Sequence, residues 1–389
     1  MTIFFTKRNC LNASIFCALI LLLAACAGPN GKSNVPATPA TGSITPTPGS
    51  ISLGPQTCPV AVQAPAHWDP IIPTQAGVSH VVSVTCGYLK GVPTLQALVT
   101  VAHSGNAAIL DAYVYDNITS ANPPQIFKLQ DLMRGVARIS GYNTILTAEV
   151  DPGSSVNQDQ TNSSFSLDLS REFKWSDGAG TLVQISFPGI FPDLTRYEAE
   201  LDQTQVNVGT QPWKLSAIAT AQEFGSTLLH WNPNAPATIV TGGGQHDVGA
   251  IVNLKSLSPG NKSIQLSMTR LEDNADGGIW IVTSAQSASV SITSPQNLGS
   301  ITSPLTITGT GTAFEGMIGK VTILDHLYNP LGTHEANGVK NNGSTTFSTH
   351  ITYQHTFLTG DEEGLIMLSE PNSADGSVAS IAFAKVLIS

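Results

Sequence analysis

Charge is what this sequence has least of. Only 11% of its 389 residues are Asp, Glu, Lys or Arg, against about 25% in ordinary soluble domains. The shortage is greatest on the positive side, with Lys and Arg at 17 against Asp and Glu at 27 and a formal net charge of -10. Phosphate contacts need clustered Lys and Arg, so there is no grip here for nucleic acid. A polybasic membrane patch is missing for the same reason. Cysteine is scarce at 5, and no Gly-x-Ser-x-Gly elbow occurs, which removes one familiar frame for a nucleophilic serine. Glycine at 35 and proline at 24 are plentiful instead, a composition of strands, turns and linkers. At roughly 150 residues per domain, the length predicts two or three domains.

The amino terminus has its own pattern. Lys7 and Arg8 precede an apolar run from Ile15 to Cys26, shorter than the roughly 20 residues a membrane-spanning helix needs. A basic start, an apolar centre and small residues before a cut describe a secretory signal. Leu23-Ala24-Ala25-Cys26 resembles the bacterial lipoprotein signal. That resemblance implies that residues 1–25 are removed and that Cys26 is diacylated on sulfur, a stable anchor at about 0.8 kcal/mol per buried CH₂. Residues 26–57 hold Pro29, Pro36, Pro39, Pro46, Pro48 and Pro55, with Lys32 as their single charge. Such a stretch buries no core and reads as an extended tether.

Cys10 and Cys17 leave with the signal, so Cys58 and Cys86 remain as an even pair in an oxidising compartment. A bridge across their loop of about 28 residues predicts roughly 3–4 kcal/mol of stabilisation from chain entropy. Two buried free thiols are the competing reading.

Residues 58–195 read as a β-rich domain, with strands expected at 78–85, 95–101, 108–115, 126–129, 136–139, 144–150, 165–169, 173–175 and 182–187. Ala97-Leu98-Val99-Thr100-Val101 through Gly105, then Gln125-Ile126-Phe127, is similar to small actinobacterial lipoproteins of the LppP/LprE group, a likeness that implies no activity. Residues 196–286 read as a small α+β domain, either separate from or continuous with the first. Pro212 opens an expected helix carrying Ile218, Ala221, Phe224 or Gly225, and Leu228 on one face, with Pro233 as its end. Strands follow at 238–240, 250–254, 263–268 and 279–282.

Residues 290–389 carry the fullest resemblance. Val290-Ser291-Ile292-Thr293-Ser294-Pro295, then Ile301 to Gly311, Phe314-Glu315, Phe347 to Tyr353, Ser369 to Ser377 and Ile381 to Leu387 resemble the Gmad2 domain, the immunoglobulin-like domain named from bacterial spore-germination proteins. The family often has Ala where Gly311 stands. The resemblance implies a β-sandwich with a role in adhesion, spacing or protein contact, and brings no catalytic residues with it. Turn signals at Asn329-Pro330, Asn341-Asn342-Gly343 and Asp375-Gly376 independently divide this stretch into short strands. The expected fold class is therefore mainly β with an α+β middle region and a C-terminal immunoglobulin-like sandwich.

Candidate chemistry is sparse. Glu272, Asn274, Asp276 and Gly277 occupy the first, third, fifth and sixth positions of a calcium loop, but Thr283 stands where the bidentate acid belongs. The stretch is a polar hairpin turn or a weak ion site. The glycine-rich run Thr241 to Asp247 lacks the Gly-Lys-Ser/Thr ending of a phosphate loop. His246 and Asp247 could join His230 on a metal only if neighbouring residues shared a face, and in a strand they do not. The ionisable pairs His67/Asp69, Asp111/Asp116 and Glu362/Glu363 read as solvated turn residues. Trp213 and Trp280 fall on apolar periodicities and read as core, whereas Trp175 and Trp231 border turns and are the candidate ligand contacts of a sugar or peptide groove.

The expectation is a lipid-anchored extracytoplasmic lipoprotein with a non-catalytic binding or structural role, no cofactor and no metal. Its partners would be the membrane, through the anchor, and an envelope protein or cell-wall glycan. The alternative is a cell-wall or polysaccharide hydrolase with its site in residues 58–286.

Overall fold

The computed structural model describes residues 54–389 except 73, 106–107, 162–163, 259–261, 314, 342–343, 358–359 and 373–376. The expected signal, Cys26 and most of the expected tether lie outside the described residues, as do Phe314 and the expected turn tips at 342–343 and 375–376.

The fold is mostly β-strand with a small helical region. Two one-turn helices, α1 (Val60–Gln63) and α2 (Pro65–Trp68), precede an antiparallel sheet of β1 (Ser79–Gly87), β2 (Gln96–His103), β3 (Ile109–Tyr115) and β4 (Gln125–Met133) in that order. The central β2 is buried along Gln96–Val101, which is why its sequence runs apolar with little alternation. Trp68 seals one face of this sheet, packed on Tyr115 and donating its indole N–H to the Val62 carbonyl at 2.9 Å. A second antiparallel sheet follows: β5 (Val136–Ile139), β6 (Ile145–Glu149), β7 (Leu169–Ser176) and β8 (Thr181–Ile185). The expected strand at 165–169 is realised only from Leu169, where β7 begins.

Two helices come next. The first, α3 (Arg196–Asn207), has no apolar stripe and was not among the expected elements. Thr195 caps it, its hydroxyl accepting the Glu198 N–H at 3.2 Å, and Glu198 stands three residues on, the spacing of a capping box. The second, α4 (Ala217–Leu228), starts later than Pro212. Pro212–Leu215 forms a 3₁₀ turn, and Ser216 is the true cap, accepting from the Ala219 N–H at 3.3 Å. The helix also stops at Leu228, short of Pro233.

The remaining strands are β9 (Ala237–Gly242), β10 (Gly249–Lys255), β11 (Ser263–Arg270), β12 (Trp280–Gln286), β13 (Val290–Ser294), β14 (Gly299–Ile301), β15 (Leu305–Gly311), β16 (Met317–Leu324), β17 (Pro330–Asn341), β18 (Ser344–Ile351), β19 (Glu362–Pro371) and β20 (Val378–Ile388). They pair in the order β13-β15-β18-β17-β16-β19-β20-β12-β11-β10-β9, with β14 beside β20. In β10 and β11 the inward Val252, Leu254, Ile264 and Leu266 join Ala221 and Phe224 of α4 in one core. A Cβ at Gly225 would come within 2.8 Å of Leu254 Cδ2, so glycine lets the helix approach the sheet. β17 pairs with β16 from Pro330 to Asn337 and with β18 from Gly338 to Asn341. Strands β13, β15 and β18 thereby contribute to the same core as β16, β19 and β20.

β19 and β20 are buried on both sides. Ile366, Leu368, Ala382, Ala384 and Val386 face that second core, while Leu365, Met367, Ile381 and Phe383 face the α4 core. Two-sided burial explains why β20 reads Ile-Ala-Phe-Ala-Lys-Val-Leu-Ile with a single charge. No helix among the described residues is long and apolar enough to cross a membrane.

Candidate functional site

Several charged side chains are buried in the fold. Arg171 on β7 donates to Glu149 on β6 at 2.5 Å. Arg196, the first residue of α3, donates from Nε to Glu172 at 2.8 Å and from Nη1 to Glu272 at 2.7 Å. Its guanidinium lies over the rings of Tyr142 and Phe187, 4.5 and 4.9 Å from their centres. Lys385 on β20 sits 3.0 Å from Glu363 on β19 and donates to the Leu194 carbonyl at 2.5 Å. His326, in the turn after β16, places Nδ1 2.5 Å from Glu362 and Nε2 3.7 Å from Asp168. Lys214 pairs with Asp202.

Burial and pairing set the protonation of these groups. Burial pushes Glu363 up to about 7, because Lys385 offsets only part of the desolvation. Asp193 is pushed up to about 7 by burial, with Lys214 opposing and Glu198 adding to the shift. Burial also lowers Lys385. For His326, burial opposes the charge, but the flanking carboxylates of Asp168 and Glu362 outweigh it and lift the imidazole to about 10. Arg196 is likewise raised, the neighbouring Glu172 and Glu272 outweighing its burial. The arrangement binds the second sheet, α3 and the β19–β20 pair to one another through charge pairs enclosed by protein.

Glu362 and Glu363 are therefore not the solvated turn residues expected, since each is 1% exposed. Adjacent in β19, they point to opposite faces, one to His326 and one to Lys385. Asp111 is buried as well, accepting from His103, Tyr113, Gln130 and the Asp131 N–H. Burial acts to raise its pKa, but these donors together hold it below the ordinary value. Asp69 is exposed and His67 half-buried.

Cys58 and Cys86 form a disulfide with Cα atoms 5.1 Å apart. The calcium-loop spacing does not converge: Glu272 turns inward to Arg196, whereas Asp276 is exposed and 3.0 Å from His246. Asp247 accepts from the Gly244 N–H at 2.8 Å. Among the described residues, no group of three or more His, Cys, Asp or Glu is placed to hold a metal ion.

The two candidate tryptophans part company. Trp231 is a core residue rather than a groove residue, 4% exposed and donating its indole N–H to the Val378 carbonyl at 2.8 Å. Trp175, half-buried at the end of β7, donates to Asp177 at 2.7 Å. Lys90 lies 4.6 Å over its ring and also contacts Asp116 at 2.6 Å. Lys90 and Asp116 line an open cleft of about 520 Å³ with Pro59, Pro93, Leu95 and Ile118. A cation, a carboxylate and hydrogen-bonding groups beside apolar Leu95, Ile118 and two prolines suit a polar ligand.

The chain matches no protein-family model and no curated protein.

Proposed function

We propose that this chain is a lipid-anchored extracytoplasmic lipoprotein of the bacterial envelope whose folded part binds a glycan or protein partner without catalysis. Cys26 carries the anchor, residues 26–57 form the tether, and the Cys58–Cys86 disulfide fits export to an oxidising compartment. The observation that carries the binding role is the 520 Å³ cleft lined by Lys90 and Asp116, with Lys90 packed over the neighbouring Trp175 ring. A glycosidase places two carboxyl groups about 5–9.5 Å apart across the sugar. The lining of this cleft has Asp116 as its one carboxylate, and Asp116 is held by Lys90.

Residues 290–389 are read as the Gmad2-type immunoglobulin-like sandwich. Support comes from the shared core of β13, β15 and β18 with β16, β19 and β20. In this reading the terminal region is a spacer or protein-contact module, a role that rests on fold company alone.

The test is a glycan-binding screen with a pull-down from envelope extract, using the full chain and a Trp175→Ala variant. Saturable binding that Trp175→Ala weakens is the expected result. Absence of any saturable partner, or release of soluble fragments from wall polymers, would overturn the reading. Cys26→Ser should free the protein from the membrane fraction, and retention there would remove the anchor.

A further inference from the structure

Among the described residues, the longest sheet ends in an open edge. β9 pairs with β10 and closes the strand order on that side. Every residue of Thr238–Gly242 is exposed, including Ile239 at 41% and Val240 at 54%. Natural edges are usually blunted by charge, proline or a bulge. Ala-Thr-Ile-Val-Thr-Gly has neither charge nor proline, and a bulge at Val240, between the Ile239–Val252 and Thr241–Ile251 pairs, is its single irregularity. Beside the edge lies a cleft of about 490 Å³ lined by Leu215, Ile218, Ile239, Gly243, Arg270 and Asp276.

The two ends of this edge carry opposite charge. At the Ala237 end stands exposed Lys255, whose N–H donates to the Pro236 carbonyl at 2.9 Å. At the Gly242 end stand exposed Asp247 and Asp276, which outnumber the one Arg270 guanidinium between them; His246 lies 3.0 Å from Asp276. A parallel neighbour would set Lys255 beside its own copy. An antiparallel neighbour related by a two-fold axis sets the basic end of each chain against the acidic end of the other.

From this charge complementarity we propose that two copies of the chain associate by antiparallel β9–β9 pairing, continuing the sheet across the two-fold axis. Lys255 of one copy then lies two strand spacings, about 10 Å, from the partner's Gly243–Asp247 turn, within reach of its side chain. The clefts lined by Ile239 and Leu215 then lie on the same face of the continued sheet. Binding at the Lys90–Asp116 cleft is independent of this contact, so failure of one reading leaves the other standing.

The test is sedimentation velocity of the full chain in detergent over a concentration series. A monomer–dimer equilibrium is expected. Val240→Lys, at an exposed position, should give monomer with an unchanged circular dichroism spectrum. Lys255→Glu and Asp276→Lys should each weaken the dimer by about tenfold, and the double reversal should restore it. A chain that stays monomeric at about 100 µM, where a micromolar dimer would be assembled, overturns the proposal. So does a dimer indifferent to Val240→Lys, or a double reversal that fails to rescue.

Discussion

Glu363 and Lys385 form an ion pair whose side chains are both fully enclosed, their charged atoms 3.0 Å apart. They are diagonal neighbours across β19 and β20, since Leu365 stands opposite Lys385 and Leu387 opposite Glu363. The diagonal puts both on the face away from Ile366 and Ala384, where the Phe187 N–H also reaches Glu363 at 2.9 Å. A buried pair contributes little net stability, but breaking one leaves an uncompensated charge.

Lys385→Met should therefore destabilise the protein by about 3–5 kcal/mol at neutral pH. The loss should be smaller near pH 5, because Glu363, already pushed up to about 7, then takes a proton. Joining Glu363→Leu to Lys385→Met should recover most of the loss. Urea denaturation at the two pH values measures this, and a pH-independent loss would refute it.

Stability should fall as pH rises above about 4.5. Asp193 and Glu363 have folded pKa values near 7, above ordinary values of 3.8 and 4.5. A raised carboxyl holds its proton more tightly in the folded chain, so its contribution is complete below the unfolded value and disappears as pH passes the folded one. His326, lifted from 6.5 to about 10, contributes fully below 6.5 and loses that contribution as pH rises towards 10. Asp111, Asp116 and Asp168 are lowered, so their contributions vanish only in stronger acid, below about 3.8. Thermal midpoints should therefore be higher near pH 5 than near pH 9. Asp193→Asn should flatten the slope between pH 4.5 and 7, and a midpoint climbing through that range would contradict the account.

Removing the disulfide with Cys58→Ser and Cys86→Ser should cost about 2–4 kcal/mol. Intact protein should show the same drop in dithiothreitol, whereas the double variant should be insensitive to it. Equal midpoints for the two proteins without reductant would sink this prediction.

The tryptophans should separate by readout. Trp231→Ala opens a cavity in the α4 core and should cost about 3–5 kcal/mol in denaturant unfolding. Trp175→Ala, half-buried beneath Lys90, should weaken ligand binding with a much smaller change in midpoint. A reversed ranking of the two stability losses would contradict their placement.

Most strands were legible because their apolar residues alternate or run continuously between turn residues, as in Ser263–Arg270 and Gln96–His103. Helix α3 was not. Its sequence, Arg-Tyr-Glu-Ala-Glu-Leu-Asp-Gln-Thr-Gln-Val-Asn, has no apolar stripe, and its burial is carried by Arg196, Tyr197, Ala199 and Val206. Thr195 with Glu198 was the local mark it did carry. The buried charges were illegible for a different reason. Glu362 and Glu363 look like a solvated pair until strands 22 or more residues away bring Lys385 to one and the turn after β16 brings His326 to the other. Side-chain identity alone does not encode a partner so distant in sequence. Trp231 misled because it borders Pro233, though its indole N–H finds the Val378 carbonyl on β20.

The Cys58–Cys86 bond also decides how the molecule answers a pull from its amino-terminal side. Just before it, the Gln56 N–H holds the Cys86 carbonyl at 2.7 Å and the Gly54 N–H holds Asn143 at 2.8 Å. Tension arriving along the chain would meet these hydrogen bonds first and then the covalent link, which hands the load to the end of β1. Residues 59–85, with both short helices and most of β1, lie inside the closed loop and carry none of it. The protein would behave under load as though it began at Cys86, with the small helical cap riding slack beside the stressed path.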